Sequence, residues 1–394
     1  MNKIAINNND KFVKVLKYLL ISVLSTIPLS IYILTLSNMD RSYIFPIFLN
    51  SHLFIGFYLF CFTILFHINF NKKVILITFL SFLLISLIAV FSNISFNYVY
   101  MPPVDSPDFQ VLLNRAVFFN IIFFVLIMLS YNSFDALNTD KIADFFTVFG
   151  DIFLWFIIIN AASSTVLFIL FNVLIVVGFS VVSLFASSSD IGFTIAKLVI
   201  CLFIFLYGFV PFIAYLIYVK TKSVISVYVS RAFLVIDLFA IFIMMFFMLP
   251  YELRPYSNRL VYIIYNILLA FTVINLMFVR MDKKTNIFTK AMYVILPIFA
   301  LVFDILTITA SIYRIINYGL TPNKLTLIIL NIIFFIHLIF ISLNTIKSFI
   351  NSFQNREDNN TLNIVINSKP IIFVYVYFIF SLFVCFVMPI IYIN

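Results

Sequence analysis

Long apolar runs separated by short polar segments organise this chain. The first follows a lysine-bearing segment (Lys3, Lys11, Lys14, Lys17) and reaches Leu36. The others cover about 43–67, 74–92, 116–131, 142–186, 191–219, 232–249, 261–279, 291–313, 325–343 and 370–391. Most are near or above the roughly 18 to 20 residues a helix needs to cross a bilayer. They are continuous rather than alternating over about ten residues, which excludes a β-barrel. The pattern predicts an all-α, polytopic transmembrane helix bundle of about eleven spans, with twelve possible. The first run is too long for a signal-peptide core and lacks a small-residue cleavage site, so it is expected to be a retained span. Residues 1–15 are then a cytoplasmic tail and 16–394 a single membrane domain. The loops 93–115 and 347–369 are too short for a catalytic domain.

The run 142–186 allows two readings. It crosses twice, with a break at Asn160-Ala161-Ala162-Ser163-Ser164, or it is an interfacial helix followed by one crossing. Asp144 and Asp151 favour an interfacial first part. Charge separates the two. With one crossing and a cytoplasmic N-terminus, 17 of the 24 lysines and arginines fall inside. Arg41, Arg115, Arg254, Arg259, Arg314 and Lys324 fall outside, and Lys197 lies within a run. With two crossings the bias disappears. The positive-inside rule therefore favours eleven spans.

Composition supports the class. The chain is 64% hydrophobic and 10% charged, against about 25% charged residues in globular domains. A net charge of +9 carries no nucleic-acid footprint, because the basic residues sit in short loops beside apolar runs. The implied partner is the lipid bilayer. Fifty-three phenylalanines beside six glycines point to coding bias rather than to aromatic cages. Cys61, Cys201 and Cys385 have no CxxC spacing, and His52, His67 and His337 are scattered. Neither a disulfide, a metal site nor a cofactor is called for.

Ionisable residues within the runs need a reason, since each costs roughly 2.5–3.5 kcal/mol at the bilayer centre. Asp304 is the best placed. At helical spacing it shares a stripe with Pro297, Ala300, Thr307 and Ser311, with Arg314 at its edge. This stripe is expected to face other helices, as an ion or proton site or as a packing face. Asp237 and Lys197 are candidates at similar depth, and Lys197 is a possible ion partner for Asp237 or Asp304.

Between two late runs lies Tyr313-Arg314-Ile315-Ile316-Asn317-Tyr318-Gly319-Leu320-Thr321-Pro322-Asn323-Lys324. Arg314 suits the negative end of a helix. Gly319 can close a helix in the left-handed conformation. Thr321 is a good N-cap with Pro322 at the first helical position. These residues resemble the signature of a bacterial multi-pass membrane family known as domain of unknown function 4153. Its pattern is Arg-Ile-x-x-Tyr-Gly-(Leu/Ile)-Thr-x-x-Arg between two spans. Arg314, Ile315, Tyr318, Gly319, Leu320 and Thr321 fit, and Lys324 stands where the family usually has Arg. The likeness is sharp over about a dozen residues and extends by order of spans over 211–343. It implies a bacterial cytoplasmic (inner) membrane protein of unknown activity and supplies no catalytic residues.

Three functions fit. A transporter or channel-like protein is favoured by the span number, by Pro28, Pro211 and Pro297 within runs, and by Asp304. A membrane enzyme acting on a lipid-linked or glycan substrate would use rim residues such as Glu252, Arg254, Arg259, Arg314 and Lys324, but no acid–base pair stands at a diagnostic spacing. A non-catalytic membrane subunit is the third. A water-filled cavity reaching Asp304 would favour transport, and a dry, tightly packed Asp304 would end the solute-transporter reading. The threading is tested by a cysteine introduced into the 280–290 loop. Eleven spans predict labelling only after the membrane is permeabilised; labelling of intact cells from outside would overturn it.

Overall fold

In a computed structural model of the chain, the structure describes residues 20–31, 51–66, 72–94, 106–176, 190–221, 225–246, 254–279, 287–354 and 372–392. Every one of the apolar runs is helical in its described part, and no strand occurs among the described residues. The helices are α1 (Leu20–Ile31), α2 (Ser51–Phe66), α3 (Lys72–Ile94), α4 (Pro107–Tyr131) and α5 (Thr139–Val176). They continue with α6 (Asp190–Thr221), α7 (Ile225–Phe246), α8 (Arg259–Val279), α9 (Ile287–Tyr318) and α10 (Pro322–Gln354). The last is α11 (Phe373–Leu382), which passes through a π turn at Phe383–Val387 into α12 (Met388–Tyr392). Seven stretches among the described residues are long and apolar enough to cross a membrane, and four shorter apolar helices accompany them.

Several boundaries differ from the sequence expectation. The block that begins at residue 142 does not break at Asn160–Ser164: α5 runs through it without interruption. Ser163 bonds its own helix carbonyl at Asn160, so its hydroxyl needs no turn to be satisfied. Asp144 is exposed, but Asp151 is enclosed, so the two do not mark one interfacial surface. Arg115 is not a loop residue. It lies inside α4, with 3% exposure and its guanidinium over the Phe119 ring. The helix starts eight residues before it because Ser106 caps the N–H of Phe109 and Pro107 takes the first helical position. At the other end, α10 continues past Lys347 to Gln354. Residues 1–15 and the 280–286 and 355–371 stretches lie outside the described residues.

The described helices fall into two compact units. The first draws on residues 1–101, 126–134 and 151–223. Here α1, α2 and α6 meet at Gly208, whose carbonyl accepts a hydrogen bond from the Tyr58 hydroxyl at 2.9 Å. Phe62 packs edge-on against Phe212. A Cβ placed on Gly208 would stand 2.2 Å from the Thr26 methyl, so the glycine allows the close approach of α1 and α6.

The second unit draws on residues 102–125, 135–150 and 224–394. Its core is built by four helices: Leu234 and Ile241 of α7, Tyr265 and Leu269 of α8, Leu296 and Phe303 of α9, and Phe334 and Leu338 of α10. Tyr265 and Phe303 stack with ring centroids 4.6 Å apart. The opposite faces are apolar as well: Ile298, Val302 and Ile305 of α9 are each 40–48% exposed. A helix whose outer face is aliphatic is built for lipid contact.

Gly208→Ala is expected to destabilise the first unit by about 1–3 kcal/mol through overpacking. Thr26→Ala, which removes the obstructing methyl, is expected to restore most of that loss. Melting temperatures of the single and double variants in detergent measure both, and additive losses would contradict the contact.

Candidate functional site

The polar stripe of α9 faces the protein. Ala300, Asp304, Thr307 and Ser311 all have no exposed surface, and Pro297 is buried with them. They recur every three to four residues, so Ile298, Val302 and Ile305 turn outward while Phe303 and Ala310 stay buried beside the stripe. Asp304 lies midway along the helix. Thr307 donates to its Oδ1 at 3.0 Å and also reaches the Asp304 backbone carbonyl at 2.8 Å. The second carboxyl oxygen, Oδ2, is buried without a hydrogen-bond partner among the described residues. One turn further along, the Ser311 hydroxyl is 2.7 Å from the hydroxyl of Tyr262 on α8.

Asp237 is a separate site. It is 1% exposed on α7, and Asn275 of α8 donates to its Oδ2 at 2.8 Å. The hydrogen bonds of both carboxylates therefore go to uncharged partners, Asn275 and Thr307, rather than to a lysine. Lys197 lies on α6 in the first unit, partly exposed. Sequence alone gives these residues like depth and opposite sign, but neither property fixes which helices become neighbours.

Three further polar residues lie on α10 and α11 of the same unit. His337 of α10 is fully enclosed, and its Nδ1 is 2.8 Å from the Tyr377 hydroxyl of α11. The His337 ring lies flat on Phe373, with centroids 4.4 Å apart and planes within 4°. Asn331 of α10 is also enclosed, and both atoms of its side-chain amide lack partners. Such polar residues in an apolar run are the available signal, because an amide or imidazole at that depth costs free energy unless something bonds it.

The turn after α9 has the predicted caps. Gly319 takes φ +72°, the left-handed conformation that ends a helix. The N–H of Lys324 points to Thr321 Oγ1 at 3.4 Å, and the N–H of Leu325 bonds the Thr321 carbonyl at 2.9 Å. Lys324 has a part that sequence did not foretell. Its Nζ donates to the carbonyls of Tyr318 at 3.0 Å and Gly319 at 2.6 Å, and it sits over the Tyr318 ring. A cation thus neutralises the negative end of α9 from the first turn of α10. Arg314 is flanked by the rings of Tyr262 and Tyr318 at 5.3 and 5.6 Å. Its Nη1 also approaches the Pro255 and Tyr256 carbonyls at 3.5 and 3.4 Å.

Compared with protein-family models, with curated proteins and with solved structures, the chain shows no significant match.

Gly319→Ala is expected to cost about 1–2 kcal/mol, the strain of a left-handed residue carrying a Cβ. Gly319→Asn is expected to cost less, since Asn tolerates that conformation. Thermal unfolding in detergent ranks the two; equal stability of the Ala variant and the wild type would contradict the cap.

Proposed function

We propose that this chain is a multi-pass protein of the bacterial cytoplasmic membrane, with eleven spans and a cytoplasmic N-terminus, and that it passes protons, and no larger solute, through the helices enclosing Asp304. The observation that carries the reading is an ionisable carboxyl kept midway along α9 with Oδ2 unpartnered among the described residues, while its lack of exposed surface removes solute transport from the reading. An ionisable group kept at that depth is expensive, and function is the usual reason for it.

The enclosure also narrows the reading. A standing solute pathway would wet the carboxyl, so an open channel at Asp304 is disfavoured. A proton needs no cavity, only hydroxyl, carboxyl and imidazole groups close enough to pass it on. Anything larger requires the helices to part. An enzyme that grips a phosphate headgroup at the rim draws less support, because Lys324 and Arg314 are engaged within the turn itself. The membership in the family known as domain of unknown function 4153 is part of the proposal. It is supported by the hairpin, where Arg314, Tyr318, Gly319 and Thr321 each take part in ending one helix and starting the next.

The test is proton flux in liposomes containing the purified protein and an internal pH-sensitive dye. An imposed pH gradient is expected to collapse faster than in empty liposomes, and Asp304→Asn is expected to return the rate to background. A wild-type rate equal to that of empty liposomes, with the gradient applied in either direction, would overturn the proposal and favour a non-catalytic subunit.

A further inference from the structure

We infer that the turn between α9 and α10 holds the phosphate of a resident anionic phospholipid on Arg314 and Lys324, a site separate from Asp304. Both cations lie against one ring: the Arg314 guanidinium carbon is 5.6 Å from the Tyr318 centroid, and Lys324 Nζ is also 5.6 Å from it. Neither makes an ion pair among the described residues. Asp108, near the start of α4, makes none either. Yet α4 reaches this turn, since Gln110 Oε1 accepts from the N–H of Asn323 at 3.4 Å. Arg314 also meets the carbonyls of Pro255 and Tyr256, in a segment 254–259 that adds Arg254 and Arg259 and no acid. Positive charge is thus gathered at one end of the second unit, and the charge that Arg314 and Lys324 meet there is that of carbonyl dipoles and rings.

Those carbonyls do not exhaust the donors. Lys324 carries three N–H bonds and gives two, to Tyr318 and Gly319. Arg314 carries five in a planar fork. Its Nη1 has carbonyls at 3.4 and 3.5 Å, near the outer limit of a hydrogen bond. The rest of the fork suits phosphate oxygens, which arginine grips in pairs. The first N–H groups of α10 are taken, because Asn323 and Lys324 donate theirs to Gln110 and Thr321. Side chains rather than the helix end therefore carry the site. The bonds inside the turn suit a lipid that stays in place; a substrate that is gripped and released would compete with them.

The surface around the cations separates a lipid from a free anion. Tyr318, which touches both cations, is 60% exposed, and Ile316, Leu320 and Leu260 are exposed by 76, 53 and 68%. Free phosphate would answer the charge and leave these side chains in water. A phospholipid answers both, with its phosphate on the cations and its glycerol and upper acyl carbons on Tyr318 and Leu320. Tyrosine rings suit that level of a bilayer, where one end of the ring is apolar and the other wet. The sign of the charge selects the head group. Phosphatidylglycerol brings one net negative charge to the two cations. In phosphatidylcholine or phosphatidylethanolamine an ammonium offsets the phosphate and is repelled.

The experiment is photolabelling in vesicles of phosphatidylcholine that carry the purified protein and a trace of phosphatidylglycerol with a photoreactive group near its head. Labelled peptides are mapped by mass spectrometry. The site predicts labelling concentrated in residues 254–262 and 312–325. Unlabelled phosphatidylglycerol mixed into the vesicles is expected to displace it, while the same share of phosphatidylethanolamine, or added inorganic phosphate, is not. Arg314→Gln combined with Lys324→Gln is expected to lower the labelling about tenfold or more, and Arg314→Lys to retain part of it. If the double variant does not fold, as its melting temperature shows, the competition in the wild type decides alone. Labelling spread over the exposed helices without enrichment at this end, or equal displacement by phosphatidylethanolamine, would overturn the site. Displacement by inorganic phosphate would overturn the lipid and leave a free-anion site, and undiminished labelling of a folded double variant would overturn the part given to the cations. Proton flux enters none of these outcomes, so the lipid site and the proton reading fail separately.

Discussion

The absence of water around a polar group is the constraint from which the rest of this structure follows. In hydrocarbon a hydroxyl or amide has no solvent to bond, and an unsatisfied one costs several kcal/mol. The helices meet this with the nearest acceptor, the backbone carbonyl one turn back. Thr78 bonds Val74, Thr147 bonds Ala143, Thr272 bonds Leu268, Ser311 bonds Thr307, and Thr345 bonds Ile341. Asn266 and Asn344 do the same through their amides. A side chain satisfied in this way leaves the helix free to present an aliphatic face outward and a polar one inward.

Against that background the departures carry the meaning. Asp304 Oδ2, the Asn331 amide and the Ser342 hydroxyl are enclosed without a partner among the described residues, whereas the hydroxyls just named are served locally. A carboxylate has two oxygens and no proton of its own to offer when ionised, so a carbonyl cannot satisfy it. It needs side-chain donors, and Thr307 of the same helix supplies only one. Asp237, by contrast, receives an amide donor from Asn275 across the α7–α8 contact. The two buried acids therefore differ in kind: one is tied between two helices, and the other keeps an open valence.

How much was legible in the sequence depended on how far each feature reached along the chain. The helices and the stripe through Asp304, Thr307 and Ser311 need only the period of one helix, and they were readable. The caps at Gly319 and Thr321 depend on backbone conformation within a few residues, and they were readable too. The pairing of His337 with Tyr377 was not, because it depends on two helices meeting, and a lone histidine in an apolar run names no neighbour. Arg115 was a different miss: the Ser106–Pro107 pair already announced a helix start, and a charge was taken for a loop marker instead.

The turn joining α9 and α10 has a mechanical consequence. Lys324 is fixed to the carbonyls of Tyr318 and Gly319, Gly319 closes the preceding helix, and Thr321 opens the next. With so short and so fully bonded a link, one helix cannot slide a turn of about 5.4 Å along the other without breaking the link. The register that sets Asp304 beside its neighbours on α10 is thereby locked, and α9 and α10 act as one lever. Any motion that changes access to Asp304 must come from elements that move against this lever. The helix bearing Tyr377 has the looser build for such motion, since its ladder widens into a π turn at Phe383–Val387.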